Sequence, residues 1–422
     1  MTRASFSRRA VLRTGVVLSA AAALARPAIA QSAGHVVVIG GGFAGATCAR
    51  ELNRGGLNVT LVEPAATYTA CPFSNGVLAG LRPLSRQQFT YDALKKEGLA
   101  VVAQRATRID GQERRVSLSD GTTLGYDRLV LAPGIDLRYD ALPGYTEDVA
   151  QIMPHAWKAG EQTSLLRGQL EAMPDGGTVI ISVPANPYRC PPGPYERASL
   201  VAYYLKIQKP RAKLIVLDAK DSFSKQGLFQ GAWKALYPNL EWVSMSSGGK
   251  VIEVDVRQRM LVTEFGRHKA DVANVIPPQH AGEVAVLAGT ADRTGWCPID
   301  PVTFESRQQP GIHIIGDACI AGSMPKSAFS ANAQAKVCAA AIINLLRGQA
   351  PQTPKLINTC YSLVAPDYGI TVAGVYQPVN GVLTDVEGAG GVSPADGSAS
   401  LRSLEASYAD AWFRTITDEV FG

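Results

Sequence analysis

His35-Val36-Val37-Val38-Ile39-Gly40-Gly41-Gly42-Phe43-Ala44-Gly45 is the stretch that decides the fold. The apolar run 35–39 reads as a short strand buried on both faces. Helical sequence follows over 46–52, and a second strand, 58–62, leads to Glu63. A G-x-G-x-x-G turn between strand and helix, with an acid after the next strand, is the pattern of a dinucleotide cradle. Gly40 permits the tight turn, Gly42 lets the backbone approach a pyrophosphate, and Gly45 lets helix and strand pack closely. The helix N-terminus then faces the phosphates. Glu63 lies eighteen residues after Gly45, in place to accept the ribose hydroxyls.

Two later segments narrow the dinucleotide to FAD. Tyr126-Asp127-Arg128-Leu129-Val130-Leu131-Ala132-Pro133-Gly134 is a strand followed by a Pro-Gly turn, and Gly311-Ile312-His313-Ile314-Ile315-Gly316-Asp317-Ala318 is a strand ending in Gly-Asp. Both resemble patterns of flavoproteins built from two dinucleotide-binding domains. That resemblance assigns Asp317 to the ribityl and pyrophosphate region of FAD. The helix expected over 328–346 would point its positive end at the flavin pyrimidine and favour a reduced, anionic ring. Lys326, just before it, either adds charge there or is a solvated loop lysine.

Such proteins usually carry a second glycine-rich turn for NAD(P)H. The equivalent strand here, 177–183, runs into Pro184-Ala185-Asn186-Pro187-Tyr188-Arg189-Cys190-Pro191-Pro192-Gly193. Proline has no N–H to offer a phosphate. The next strand ends at Asp218, so the βαβ frame persists without its cradle. The expectation is a Rossmann-like domain that binds no nicotinamide cofactor, with electrons arriving from a small reductant and leaving to another protein.

The chain has 422 residues, 46% hydrophobic and 18% charged, which excludes disordered, collagenous and disulfide-scaffold classes. Of its 41 Lys and Arg, five (Arg3, Arg8, Arg9, Arg13, Arg26) lie in the first thirty residues, which hold no acid. Without them basic and acidic residues balance at 36 each, leaving no electrostatic footprint for nucleic acid or an anionic membrane. Residues 1–30 read as an export signal: the Arg8-Arg9 pair, a short apolar run 16–24, and Ala28-Ile29-Ala30 before Gln31. The twin-Arg form implies export of a folded, cofactor-loaded protein to the periplasm. The alternative is the basic head of a general secretory signal. Either route leads to a compartment where disulfides persist.

Cys190 sits in a Pro-rich turn ahead of a helix, where a thiol tends toward thiolate. Cys360 lies in Asn358-Thr359-Cys360-Tyr361-Ser362, 170 residues away, and sequence alone does not say whether the two meet. With Arg189-Cys190-Pro191-Pro192-Gly193-Pro194-Tyr195-Glu196 and Ile315-Gly316-Asp317-Ala318-Cys319, this segment resembles the flavoprotein subunit of flavocytochrome c sulfide dehydrogenase, a relative of the sulfide:quinone oxidoreductases. The resemblance covers essentially the whole chain after the signal. It implies a redox-active Cys190–Cys360 disulfide over the isoalloxazine ring. It also implies a thioether from FAD to Cys71, eight residues after Glu63, although the residues following Cys71 depart from the family's usual pattern. Cys48, Cys338, Cys297 and Cys319 are expected to be packing residues. No C-x-x-C-H motif occurs, so haem is expected only on a partner subunit. The five histidines are scattered, and no metal site is expected.

The implied chemistry is attack of HS⁻ on the disulfide, giving a persulfide and a thiolate that reduces the flavin. Electrons then pass to a c-type cytochrome subunit in a heterodimer, and polysulfide or sulfur is released. Glu196 is the acid/base candidate; its alternative role is a first-turn acid complementing the helix dipole. The expected fold class is α/β: two Rossmann-like dinucleotide-binding-type domains plus a C-terminal α+β domain. Boundaries are a discontinuous FAD domain at 34–150 and 292–350, a Rossmann-like domain at 151–291, and an interface domain at 351–422. The tail 408–421 is aromatic, and its exposed apolar residues are expected to meet the cytochrome. Its acids, and the absence of a basic cluster, argue against membrane attachment. Competing readings are a sulfide:quinone oxidoreductase, an accessory flavoprotein of a periplasmic thiosulfate-oxidising system acting on partner thiols, and, least favoured, an NAD(P)H-dependent disulfide reductase.

Overall fold

The computed structural model describes residues 34–422. The export signal and its Arg8-Arg9 pair lie outside the described residues. The opening strand, His35–Ile39, is central in a five-stranded parallel sheet. Its neighbours are Asn58–Val62, which pairs outward with Ala100–Val102, and Arg128–Leu131, which pairs outward with Ile312–Ile314. Val36, Val37 and Val38 are fully buried. A parallel strand covered on both faces has no polar side to present, which is why the run is continuously apolar. The helix after the glycine turn spans Phe43–Arg54, longer at both ends than the apolar pattern indicated. It packs against helix Ala328–Leu346.

A second parallel sheet is ordered Leu240–Val243, Lys213–Asp218, Thr178–Val183, Val272–Val275. Helix Gly193–Gln208 connects its two middle strands. Strands Leu356–Ala365, Tyr368–Val379 and Val382–Asp385 form an antiparallel sheet. Helix Ala399–Phe421 packs across it. The architecture is therefore α/β, with two Rossmann-like sheets and a C-terminal α+β portion. His35–Gly422 form one compact unit.

The tail corrects one expectation. Phe413 and Phe421 are buried, not presented to a partner. Phe421 stacks on Phe89 and on Tyr68, each at 5.2 Å between ring centroids. Arg50, on the glycine-loop helix, donates to the carbonyls of Glu419 and Gly422. The aromatics close the first domain because the C-terminal helix is long enough to reach back to it. Of the tail's aromatic residues, Tyr408 stays half exposed.

Candidate active site

Local backbone needs set the turn. Gly40 has φ +100°, and a Cβ there would lie 2.3 Å from the Ala132 carbonyl oxygen. A Cβ at Gly45 would lie 1.8 Å from the Gly40 carbonyl oxygen, so only glycine lets the helix begin this close to the strand. Glu63 is held in place by the turn itself. Its carboxylate accepts from the Gly41 N–H at 2.7 Å and from the Ala65 N–H at 2.9 Å.

These residues open on a cavity of 410 Å³, within the range of small-molecule and cofactor sites. Gly40, Gly42, Glu63, Cys71, Pro133, Gly134 and Asp317 all line it. The residues present fit FAD. Asp317 Oδ1 is buried with no protein partner, and so is the indole N–H of Trp157, another lining residue. An unpaired buried acceptor and donor on one cavity wall call for a ligand rich in hydroxyl and amide groups. Burial pushes the Asp317 carboxyl up, while Arg189 and Lys326 pull it back down. Arg189 is itself nearly buried, 4.0 Å from Asp317, and donates to the Trp157 carbonyl. Helix Ala328–Leu346 brings its N-terminus to the cavity, capped by Ser327 Oγ accepting from the Ser330 N–H at 3.0 Å.

Lys326 is placed differently from Asp317. Its ammonium donates to the carbonyls of Asp317 and Cys319, both at 2.7 Å, and lies over the Trp296 ring at 3.9 Å. It is absent from the cavity lining. Its carbonyl accepts from the Cys190 N–H at 2.7 Å, so this residue holds the cysteine loop in place.

Cys190 and Cys360 line the same cavity, although 170 residues separate them. Each is a free thiol in this structure, as are the other five cysteines. Cys190 has φ +59°, a left-handed conformation disfavoured for a side-chain-bearing residue. Its carbonyl accepts from the Gly193 N–H at 2.8 Å as helix Gly193–Gln208 begins. The sulfur packs against Gly193, where a Cβ would be 3.0 Å from it. Cys360 is placed by strand alternation: Asn358, Cys360 and Ser362 point inward, and Ile357 points to solvent.

Glu196 lies one helical turn beyond Gly193 and also faces the cavity. Burial pushes its carboxyl up to about 7, against the pull of Lys225, Asn75 and Arg197. Asn75 Nδ2 donates to it at 3.4 Å. Glu196 is thus a half-buried carboxyl poised near neutrality, beyond what a solvated first-turn acid would be.

Sequence reasoning missed Lys225 and Asn358. Lys225, with φ +62° ahead of helix Gln226–Leu236, donates to the Cys360 carbonyl at 2.8 Å, to Ser362 Oγ at 2.8 Å and to the Ile370 carbonyl at 3.2 Å. Burial lowers its ammonium to about 8, opposed by Cys360, Glu196 and Cys190. Asn358 Nδ2 donates to Cys360 Sγ at 3.2 Å. No motif flags Lys225. Asn358 was quoted only as a neighbour of Cys360, although a polar residue two positions along a strand shares its face. Arg197, also unremarked, is buried and spans Asn75, Asn274 and the carbonyls of His155 and Ala156 at 2.7–3.0 Å.

The second Rossmann-like sheet shows why its acid is not open to a ribose. Asp218 is fully buried, accepting from Tyr195 Oη at 2.6 Å, Trp242 Nε1 at 3.0 Å and Lys220 Nζ at 2.6 Å. Tyr195 stacks on Phe223 at 3.6 Å. Among the remaining cysteines, Cys48 and Cys338 are fully buried on the two packed helices, while Cys297 and Cys319 are buried opposite each other on paired strands.

Comparison with known proteins agrees with this geometry. Residues 34–164 match the pyridine nucleotide-disulphide oxidoreductase family. Residues 163–277 match the central region of the sulfide dehydrogenase [flavocytochrome c] flavoprotein chain, and residues 352–421 match the flavocytochrome c sulphide dehydrogenase flavin-binding region. The mitochondrial sulfide:quinone oxidoreductase of Mus musculus is 25% identical over 338 residues, covering 75% of this chain and 72% of that protein. The sulfide dehydrogenase flavoprotein chain of Chlorobaculum thiosulfatiphilum is 52% identical over 45 residues, 10% of this chain and 94% of that sequence. The crystal structure of sulfide:quinone oxidoreductase from Aquifex aeolicus shares the fold, with a TM-score of 0.69 at 17% identity and 92% of each chain covered. The cavity, the two cysteines that line it and these matches together support a FAD disulfide oxidoreductase like the flavocytochrome c sulfide dehydrogenase flavoproteins and the sulfide:quinone oxidoreductases.

Proposed function

We propose that the protein oxidises sulfide to polysulfide or sulfur in the periplasm, using Cys190 and Cys360 as a redox pair beside FAD and passing electrons to a c-type cytochrome subunit. One observation carries this reading: Cys190, Cys360 and Glu196 come from two distant segments and line one cavity with the FAD-type residues Glu63 and Asp317. Gly40, Gly42 and Gly45 shape the pyrophosphate turn, Glu63 holds ribose, and Asp317 with the Pro133–Gly134 turn holds the rest. Cys71 also lines the cavity and is the proposed thioether site. When bound, the flavin supplies a two-electron acceptor that can be reoxidised one electron at a time.

The chain's own groups do the sulfur chemistry. A buried disulfide between Cys190 and Cys360 is the electrophile for HS⁻. Glu196, titrating near 7, can take the proton from incoming H₂S or return one to a departing sulfur. The Arg8-Arg9 segment, the apolar run after it and Ala28-Ile29-Ala30 support export. The cytochrome acceptor rests on the family.

A quinone acceptor is the second reading. It is favoured by an apolar end of the cavity lined by Phe329, Tyr361, Leu363 and Trp412, and by the likeness to mouse sulfide:quinone oxidoreductase. The test is anaerobic addition of sulfide to the flavin-loaded protein, followed at the flavin absorbance, then addition of cytochrome c or decylubiquinone. Bleaching that is lost in Cys190→Ser and Cys360→Ser, with reoxidation by cytochrome c, is expected. Reoxidation by the quinone alone would favour the second reading. No bleaching by sulfide would point to partner thiols as the substrate.

A further inference from the structure

The two sulfurs of the redox pair are not equivalent. Cys360 Sγ receives a direct hydrogen bond, from Asn358 Nδ2 at 3.2 Å. The orientation of that amide is fixed from behind, because Ser327 Oγ and Ser330 Oγ donate to Asn358 Oδ1 at 2.6 and 3.1 Å. Ser327 is also the cap of helix Ala328–Leu346, so the amide is anchored to the positive end of a nineteen-residue helix. Lys225 is a positive charge that opposes the rise of the Cys360 thiol. It is held by three hydrogen bonds, to the Cys360 carbonyl, Ser362 Oγ and the Ile370 carbonyl.

Cys190 has no such hydrogen bond. Among the described residues no hydrogen-bond donor reaches its sulfur. The first-turn amides of helix Gly193–Gln208 are directed elsewhere: Gly193 N–H to the Cys190 carbonyl, Tyr195 and Glu196 N–H to the Pro192 carbonyl, and Pro194 has no N–H. The charges around the pair come from every packed element: Glu196 from that helix, Arg189 from the loop, Lys225 from the loop ahead of helix Gln226–Leu236, and Glu405 from the C-terminal helix. Burial raises both thiols. For Cys360 it is opposed by Lys225, Asn358 and Ser327 and reinforced by Glu196; for Cys190 it is reinforced by Cys360 and Glu196 and opposed by the charges of Arg189 and Lys225, without a hydrogen bond to the sulfur.

We propose that Lys225 and Asn358 are positioning residues that make Cys360 the departing thiolate, so that the sulfur added from sulfide is left on Cys190. This rests on the sulfide reading above and deepens it. The step balances without an outside oxidant. A bond forms between the sulfur of HS⁻ and Cys190 Sγ, the Cys190–Cys360 bond breaks, and its electron pair leaves on Cys360 Sγ. The substrate sulfur is oxidised as the disulfide is reduced. The new S–H proton stays on the persulfide or passes to Glu196. A leaving thiolate departs faster the lower its own pKa, and a hydrogen bond with a buried cation lowers it.

Two measurements on the flavin-loaded protein test this. In the first, one equivalent of sulfide is added anaerobically, the protein is quenched with iodoacetamide, and the extra sulfur is located by peptide mass spectrometry. It is expected on Cys190; finding it on Cys360 overturns the proposal. In the second, the pair is reduced with dithiothreitol and iodoacetamide alkylation of each cysteine is timed across pH. Lys225→Met should slow alkylation of Cys360 at pH 7 about ten-fold, one pKa unit, with a smaller slowing at Cys190 and Lys225→Arg restoring the rate. Asn358→Ala should act in the same direction. A merely structural defect would loosen the site and speed alkylation of both cysteines. Unchanged Cys360 alkylation in Lys225→Met, or acceleration of both cysteines, overturns the proposal. If sulfide leaves no extra sulfur on either cysteine, the sulfide reading itself fails, which the mass spectra distinguish from a misassigned leaving group.

Discussion

Replacing Glu196 with Gln should change stability and catalysis in opposite directions, and the structure gives the size of each. A carboxyl of ordinary pKa 4.5 is held near 7 by burial. Below pH 4.5 it is protonated in both the folded and the unfolded chain and adds nothing to the pH dependence. Between 4.5 and 7 the unfolded chain ionises and the folded one does not, so the folded state loses ground as pH rises. Above 7 the loss is complete. A raised carboxyl therefore contributes stability at low pH that is gone above the folded pKa. A gap of about 2.5 units at about 1.4 kcal/mol per unit amounts to roughly 3 kcal/mol. Glutamine keeps the shape and can still meet Asn75, but it carries no charge to bury. Glu196→Gln should thus be more stable than the parent by about 3 kcal/mol at pH 8 relative to pH 4.5, roughly 4 °C in unfolding midpoint for a chain of this size. The same variant should reduce its flavin with sulfide about a hundred-fold or more slowly, and the limb near pH 7 in the rate profile should vanish. The assays are thermal unfolding at both pH values and stopped-flow flavin bleaching. A variant with the parent's pH dependence of unfolding and an intact limb near 7 would refute both the burial argument and the acid/base role.

Three further outcomes are expected. Cys71→Ser should release its flavin into the supernatant on acid precipitation, whereas the parent keeps it with the protein pellet; equal release from both would remove the thioether. Phe421→Ala, which empties a buried site stacked on Phe89 and Tyr68, should destabilise by about 3–5 kcal/mol and lower FAD retention because Tyr68 lines the cavity. Asp218→Asn should cost about 3–5 kcal/mol by leaving buried Lys220 without its counter-charge, and NADH should fail to bleach the flavin in parent and variant alike, as read by chemical denaturation and anaerobic absorbance.

The first nucleotide site was legible because its constraints are local. A tight turn, a close helix–strand approach and an acid at the next strand end all fall within 29 contiguous residues, from His35 to Glu63, and each needs a particular residue type. The Pro-filled second turn was legible for the same reason, since a missing N–H is visible in the residue itself. Cys190, Cys360 and Glu196 were singled out through their motifs, but sequence left open whether the two thiols meet; folding brings both to one cavity wall. Lys326 shows the limit: its place beside the flavin-site helix was correct, but its ammonium turns to the Asp317 and Cys319 carbonyls. The tail's exposed apolar residues were expected to meet a partner; of its aromatics, Phe413 and Phe421 are covered by the chain itself, because amphipathic sequence does not say what covers it.

The sequence alone determined the dinucleotide turn, the class of cofactor pattern and the prolines in place of glycines at the second turn, since backbone conformation and N–H availability belong to single residues. Only the tertiary structure brought Lys225 and Asn358 to Cys360. Lys225 meets Cys360 across 135 residues of chain, and the field at a buried thiol is set by what packs around it, at any distance in sequence.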